Sequence, residues 1–260
     1  MRLLLAALFA VAAAAAQAQA PAGHAHNDYE HERPLIDALA FGFASVEADI
    51  WLKDGQLLVG HDEADLDPAR ALQRLYLDPL TEAAAGRSAD APLILLIDIK
   101  SDGGATYRAL SDVLAGYAKT LARIEDGSFV PGPVMAIVSG NRPRETMVAE
   151  TTRYAFYDGR LGDIGSGLDS RFMPLVSDNW TRHFSWKGDG EMPTNEREKL
   201  AAIVAKAHEA GYRIRFWATP DAPGAARDAV WRVLAEVGAD FINTDDLSGF
   251  AEFSASLTKQ

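Results

Sequence analysis

The chain contains no cysteine. That excludes a thiol nucleophile, thiolate-bound zinc and any disulfide, so packing rather than cross-links must hold the fold. Positive charge is also scarce: 25 Lys and Arg stand against 37 Asp and Glu, a formal charge of −12. Such an acidic balance disfavours nucleic acid and anionic membrane surfaces as partners. It leaves an anionic small molecule possible, because a metal ion and local cations reverse the potential at one site. Beyond the N-terminus no apolar run approaches the about 20 residues that a spanning helix needs, so no transmembrane segment is expected. Nor does a glycine-rich phosphate loop follow the first strand-like segment, which argues against an open doubly wound sheet.

What is present begins with a leader. Arg2 precedes an apolar stretch, Leu3 to Ala16, and Ala18-Gln19-Ala20 fits a small-x-small cleavage site. Residues 1–20 are therefore expected to be a signal peptide, with residues 21–260 exported as one domain to the periplasm or the medium. The hydrophobic fraction, 48%, is that of a globular protein.

Short apolar runs alternate with longer amphipathic ones. Strands are expected near the first histidines and over residues 44–52, 56–60, 92–100, 133–138, 154–157, 173–177, 212–217 and 240–243. Helices are expected over 67–85, 105–124, 143–150, 194–210, 222–237 and from 246 onward. The nearly continuous apolar run PLILLIDIK reads as a strand buried on both faces. Alternation of this kind implies right-handed crossovers and a parallel sheet, and the length favours a closed (β/α)8 barrel of TIM type.

In such a barrel the chemistry sits at the C-terminal ends of the strands. Glu47 and Asp49 project to the same face of one strand, opposite Val46, Ala48 and Ile50. Paired carboxylates repel unless a positive charge sits between them, and a divalent cation with hard oxygen ligands suits that place. His26 and His61 follow neighbouring strands, and imidazoles exchange protons near neutral pH. Asp98 and Lys100 share one face of PLILLIDIK, Trp217 ends RIRFW, and Asn243 and Asp245 end FINTD. A metal flanked by two imidazoles is equipment for splitting a phosphate ester. Each residue alone has a plainer reading: a surface carboxylate pair, an internal Asp–Lys ion pair, solvated loop histidines or a core tryptophan. The case rests on their falling at the same end of strand after strand.

The series His26, Glu47-Ala48-Asp49, Lys53-Asp54-Gly55, His61-Asp62, Asp98-Ile99-Lys100, Trp217-Ala218-Thr219 and Asn243-Thr244-Asp245 resembles the glycerophosphodiester phosphodiesterase and phosphatidylinositol phospholipase C-like superfamily. HAHNDY, SVEADIWL and VGHDE are most similar to the branch of the fungal altered inheritance of mitochondria protein 6 type. The resemblance implies a (β/α)8 barrel holding one Mg²⁺ or Ca²⁺ on Glu47, Asp49 and Asp98. It implies His26 and His61 as the acid–base or nucleophilic pair, with His24 a rival for the first. Asn27, Lys100 and Trp217 would contact the substrate, a small-molecule or lipid phosphodiester, and the protein would be a monomer. In two places the chain departs from the common pattern: His26-Asn27-Asp28 replaces a His-Arg-Gly turn, and Asp98 stands where a glutamate is usual. A second expectation from another class is an exported barrel that binds metal or ligand without turnover.

Overall fold

The structure is a computed structural model that describes residues 20–257. Apart from its last residue, the expected leader lies outside the described residues. The strands are β1 (Ala22–Ala25), β2 (Ser45–Lys53), β3 (Gln56–Val59), β4 (Leu93–Ile99), β5 (Arg123–Glu125), β6 (Ser128–Val130), β7 (Val134–Gly140), β8 (Phe156–Gly159), β9 (Leu175–Asn179), β10 (Arg213–Trp217) and β11 (Phe241–Thr244). Eight of them form a parallel sheet in the order β1-β11-β10-β9-β8-β7-β4-β2, and β2 pairs back onto β1 to close the barrel. The fold is the expected TIM-type barrel.

Period-two alternation sorts the side chains. Ile94, Leu96, Met135, Ile137, Phe156, Leu175 and Phe241 fill the barrel interior. Their sequence neighbours Leu95, Ile97, Ala136, Val138 and Ile242 face the helical shell, which packs Leu110, Leu200 and Val230 onto them. Each such fully buried aliphatic side chain contributes about 1.5–3 kcal/mol. Toward the C-terminal ends the inward positions turn polar: Glu47, Asp49, Asp98, Ser139, Asp158, Ser177, Arg215 and Asn243. That change of chemistry along the barrel axis creates the mouth.

Three expectations are corrected. Residues 56–60 do not supply a barrel strand; β3 runs antiparallel on the extension of β2. Asp54 (φ 48°) and Gly55 (φ 78°) make a two-residue turn with both residues left-handed, which can only return the chain antiparallel. The helix expected over 105–124 ends at Ala115, and β5 and β6 form a hairpin around Asp126 (φ 49°) and Gly127 (φ 77°), a second turn of the same kind. Ile124 of that hairpin packs with the interior side chains. Over 67–85 the chain is helical only at Gln73–Leu77, as π-helix, and at Asp78–Ala83.

Candidate active site

Glu47, Asp49 and Asp98 each bring a carboxylate oxygen within 4.8 Å of the other two. Adjacent strands put them there: Asp49 lies in register with Asp98, and Glu47 is two residues earlier on the same face. Gly140 (φ 67°) on the next strand leaves the room, since a Cβ there would run into the Asp98 carboxylate and the Ile99 backbone.

Cations of the protein partly balance these charges. Arg215 Nη1 donates to Glu47 Oε2 at 2.9 Å and to Asn243 Oδ1 at 2.9 Å. Lys100 Nζ lies 3.1 Å from Asp49 and 3.4 Å from Asp98. Burial opposes ionisation of Glu47, yet the Arg215 charge and the His24 hydrogen bond win and hold its carboxyl well below the usual range. Asp49 goes the other way: burial and the Glu47 charge, which Lys100 only partly offsets, push it up to about 7. Asp98 is also raised, by burial and the charge of Glu47. Asp49 Oδ1 is buried without a hydrogen-bond partner. Three converging carboxylates, two of them raised and one with an orphaned oxygen, fit a hard divalent cation. The residues that would hold it are the three expected from the sequence.

The two N-terminal histidines separate clearly. His24 is fully buried beneath the cluster, with Nδ1 2.7 Å from Ser45 Oγ, and Nε2 2.9 Å from Glu47 Oε2 and also against Arg215. Burial, reinforced by the Arg215 charge, lowers it to about 3, so it stays neutral at working pH and orients Glu47. His26, half-buried at the mouth, has Nδ1 3.0 Å from Asp245 Oδ1. Burial works against its charge, but the Asp245 hydrogen bond and the Glu47 and Asp245 charges prevail and raise it. Asp245 is in turn fixed by its backbone N–H, which donates to Asp221 at 2.7 Å.

The other expected residues are spread round the rim. His61 follows β3, is exposed, and pairs with Asp62 at 3.3 Å. Its neighbour Gly60 is bound to the cluster strand, donating to the Asp49 carbonyl and accepting from Trp51 Nε1. Asn27 is left-handed (φ 46°, ψ 35°), with Oδ1 2.9 Å from the Tyr29 hydroxyl. Trp217 ends β10, half-buried, on the inward parity of Arg215. Sequence reading missed Arg215, although RIRFW alternates charged and apolar residues and so aims Arg213, Arg215 and Trp217 one way. It also missed Tyr29, whose hydroxyl donates to Asp49 at 2.8 Å from a loop without periodicity.

Fold and site together define a closed parallel barrel with a carboxylate-lined mouth, and the comparisons supply the family. The chain matches the AIM6-like phosphodiesterase domain over residues 13–87 and 82–158, a span that includes His26, Glu47, Asp49, His61 and Asp98. It is 33% identical over 263 residues to altered inheritance of mitochondria protein 6 of Eremothecium gossypii, covering 87% of this chain and 68% of that protein. It is 32% identical over 252 residues to the homologue from Arthroderma benhamiae, covering 85% and 80%. The chain belongs to the AIM6-like phosphodiesterase domain family. Among solved structures, a protein of Agrobacterium tumefaciens provisionally described as a glycerophosphoryl diester phosphodiesterase superposes with a TM-score of 0.53 at 11% identity, over 93% of this chain and all of that one. That likeness concerns the fold.

Proposed function

We propose that this chain is a divalent-cation-dependent phosphoric diester hydrolase acting on a glycerophosphodiester or a phospholipid-type diester. The observation that carries the reading is the juxtaposition at one mouth of the Glu47–Asp49–Asp98 cluster and a His26 oriented by Asp245. A bound Mg²⁺ or Ca²⁺ would supply electrophilic neutralisation of the phosphoryl group. Asp245 holds the Nδ1 proton of His26, which leaves Nε2 free to take a proton from an attacking hydroxyl or to attack phosphorus itself. His61, on the rim, gives a proton to the departing alcohol. Lys100 adds positive charge beside the phosphate, Asn27 offers an amide, and Trp217 walls the cleft. His24 takes no part in proton transfer, since it is neutral and enclosed. In the same reading the leader exports the enzyme.

The test is hydrolysis of glycerophosphodiesters, lysophospholipids and bis-p-nitrophenyl phosphate with Mg²⁺, with Ca²⁺ and with chelator. Wild type should turn over at least one diester only with cation present. His26→Ala, His61→Ala and Asp49→Ala should each lose about 10²–10⁴-fold. Wild-type rates in all three variants, or in chelator, defeat the proposal.

A further inference from the structure

We infer that Arg160 is a second anion-binding group of this site, two strands along the wall from Lys100, placed to receive the substrate phosphate; the inference rests on the phosphodiesterase reading and extends it. Arg160 follows β8 on the inward parity of Phe156 and Asp158. Beneath it Asp158 is fully buried and accepts from Ser139 Oγ at 2.7 Å, Ser177 Oγ at 2.5 Å and Arg160 Nη1 at 2.6 Å. The Arg160 backbone is pinned as well, its N–H donating to Asp163 at 2.9 Å. The side chain is thus fixed by its lower edge while 28% of it stays exposed to the mouth.

The simpler account is an ion pair that neutralises Asp158. Its geometry argues otherwise. A structural Arg–carboxylate pair in a dry site tends to be bidentate, with two parallel bonds. Here Asp158 Oδ1 is buried without a partner, and Arg160 meets the carboxylate through Nη1 alone. Nη1 also donates to the Gly159 carbonyl at 2.9 Å and to Ser177 Oγ at 3.3 Å, Nη2 turns to Ser139 Oγ at 3.2 Å, and Nε has no partner among the described residues. Nη1 is thus spent on the wall, while Nε and one Nη2 hydrogen are left to donate. Ser139 is in register with Asp98 on the adjacent strand, about 4.8 Å away across the sheet. A phosphodiester seated at the carboxylate cluster comes within reach of those donors. In a chain of formal charge −12, a locked cation facing the mouth also restores the local field an anionic substrate needs.

The test compares wild type with Arg160→Gln in Mg²⁺, using glycerol 3-phosphate as the probe in thermal shift and bis-p-nitrophenyl phosphate as the substrate. Mg²⁺ alone should raise Tm equally in both. The further rise with glycerol 3-phosphate should vanish in Arg160→Gln, and kcat/KM should fall about ten- to hundredfold. Arg160→Lys should recover only part, since a point charge cannot reproduce the fork. Should Arg160→Gln fail to fold, Asp158→Asn/Arg160→Gln removes the buried charge together with its partner and must show the same loss. A folded variant that keeps the glycerol 3-phosphate shift and stays within threefold in kcat/KM overturns the inference, as does a wild type without that shift. A wild type that binds glycerol 3-phosphate through Arg160 yet hydrolyses no diester defeats the hydrolase reading and leaves Arg160 standing.

Discussion

Arg215→Met is the sharpest probe of how the site is held together. Arg215 and Glu47 side chains are 3% and 6% exposed and meet at 2.9 Å. Unit charges about 4 Å apart attract by about 4 kcal/mol at an effective dielectric of 20. Removing one partner of such a buried pair costs about 3–5 kcal/mol, because the other charge is left stranded. Against a usual total stability of about 5–15 kcal/mol that is a large share. At about 2–4 °C per kcal/mol for a domain of this size, Tm should drop by roughly 6–20 °C. Urea unfolding followed by circular dichroism measures the loss. Arg215→Met/Glu47→Gln, which removes the stranded charge too, should regain at least half of it, and the cycle should give a coupling above about 2 kcal/mol. Saturating Mg²⁺ should restore part of the single variant's loss, because the ion supplies the missing positive charge. The reasoning is refuted if Arg215→Met lies within 1 kcal/mol of wild type, or if the double variant is no better than the single.

Three further outcomes follow from the same geometry. Asp245→Asn should lower kcat and move the acid limb of the pH–rate profile to lower pH, because the partner that raises His26 is weakened; an unmoved limb would detach His26 from the rate. His24 protonates at 6.5 when unfolded but near 3 when folded, so its contribution to stability is complete above pH 6.5 and erodes as pH falls toward 3. The slope is up to about 1.4 kcal/mol per unit, and His24→Gln should flatten it in urea titrations at pH 7, 6 and 5. Asp49 rises to about 7 and must lose its proton to ligate, so apparent Mg²⁺ affinity by calorimetry should weaken up to about tenfold per unit below pH 7; a flat profile between pH 5 and 7 would exclude Asp49 as a ligand.

Strand periodicity made the centre of the site legible. A two-residue repeat was enough to pair Glu47 with Asp49 and Asp98 with Lys100 on one face of each strand, while the family resemblance, not periodicity, joined the three carboxylates into one set. The repeat could not separate His24 from His26, which share a face; what distinguishes them is depth, and depth comes from the register of β1 against β2 and β11. Arg215 and Arg160 were hidden for a related reason. A charged residue at a strand end gains meaning only when the groups facing it from other strands are known: Glu47 for Arg215, and Ser139 and Ser177, which flank the Asp158–Arg160 pair. The barrel itself was readable from alternation, but β3 was counted among its strands although Asp54-Gly55 already dictated a hairpin. The same dipeptide chemistry at Asp126-Gly127 stands just past the 105–124 segment, whose composition suited a helix.

Lys100, standing between Asp49 and Asp98, has a consequence for how the molecule is made ready. Its ammonium balances both carboxylates without an ion, so the fold does not depend on one to offset their repulsion. A divalent cation held there, as proposed, would compete with the lysine tip for the same oxygens, and the freed amine, on its four-carbon stem, would be within reach of an incoming phosphate.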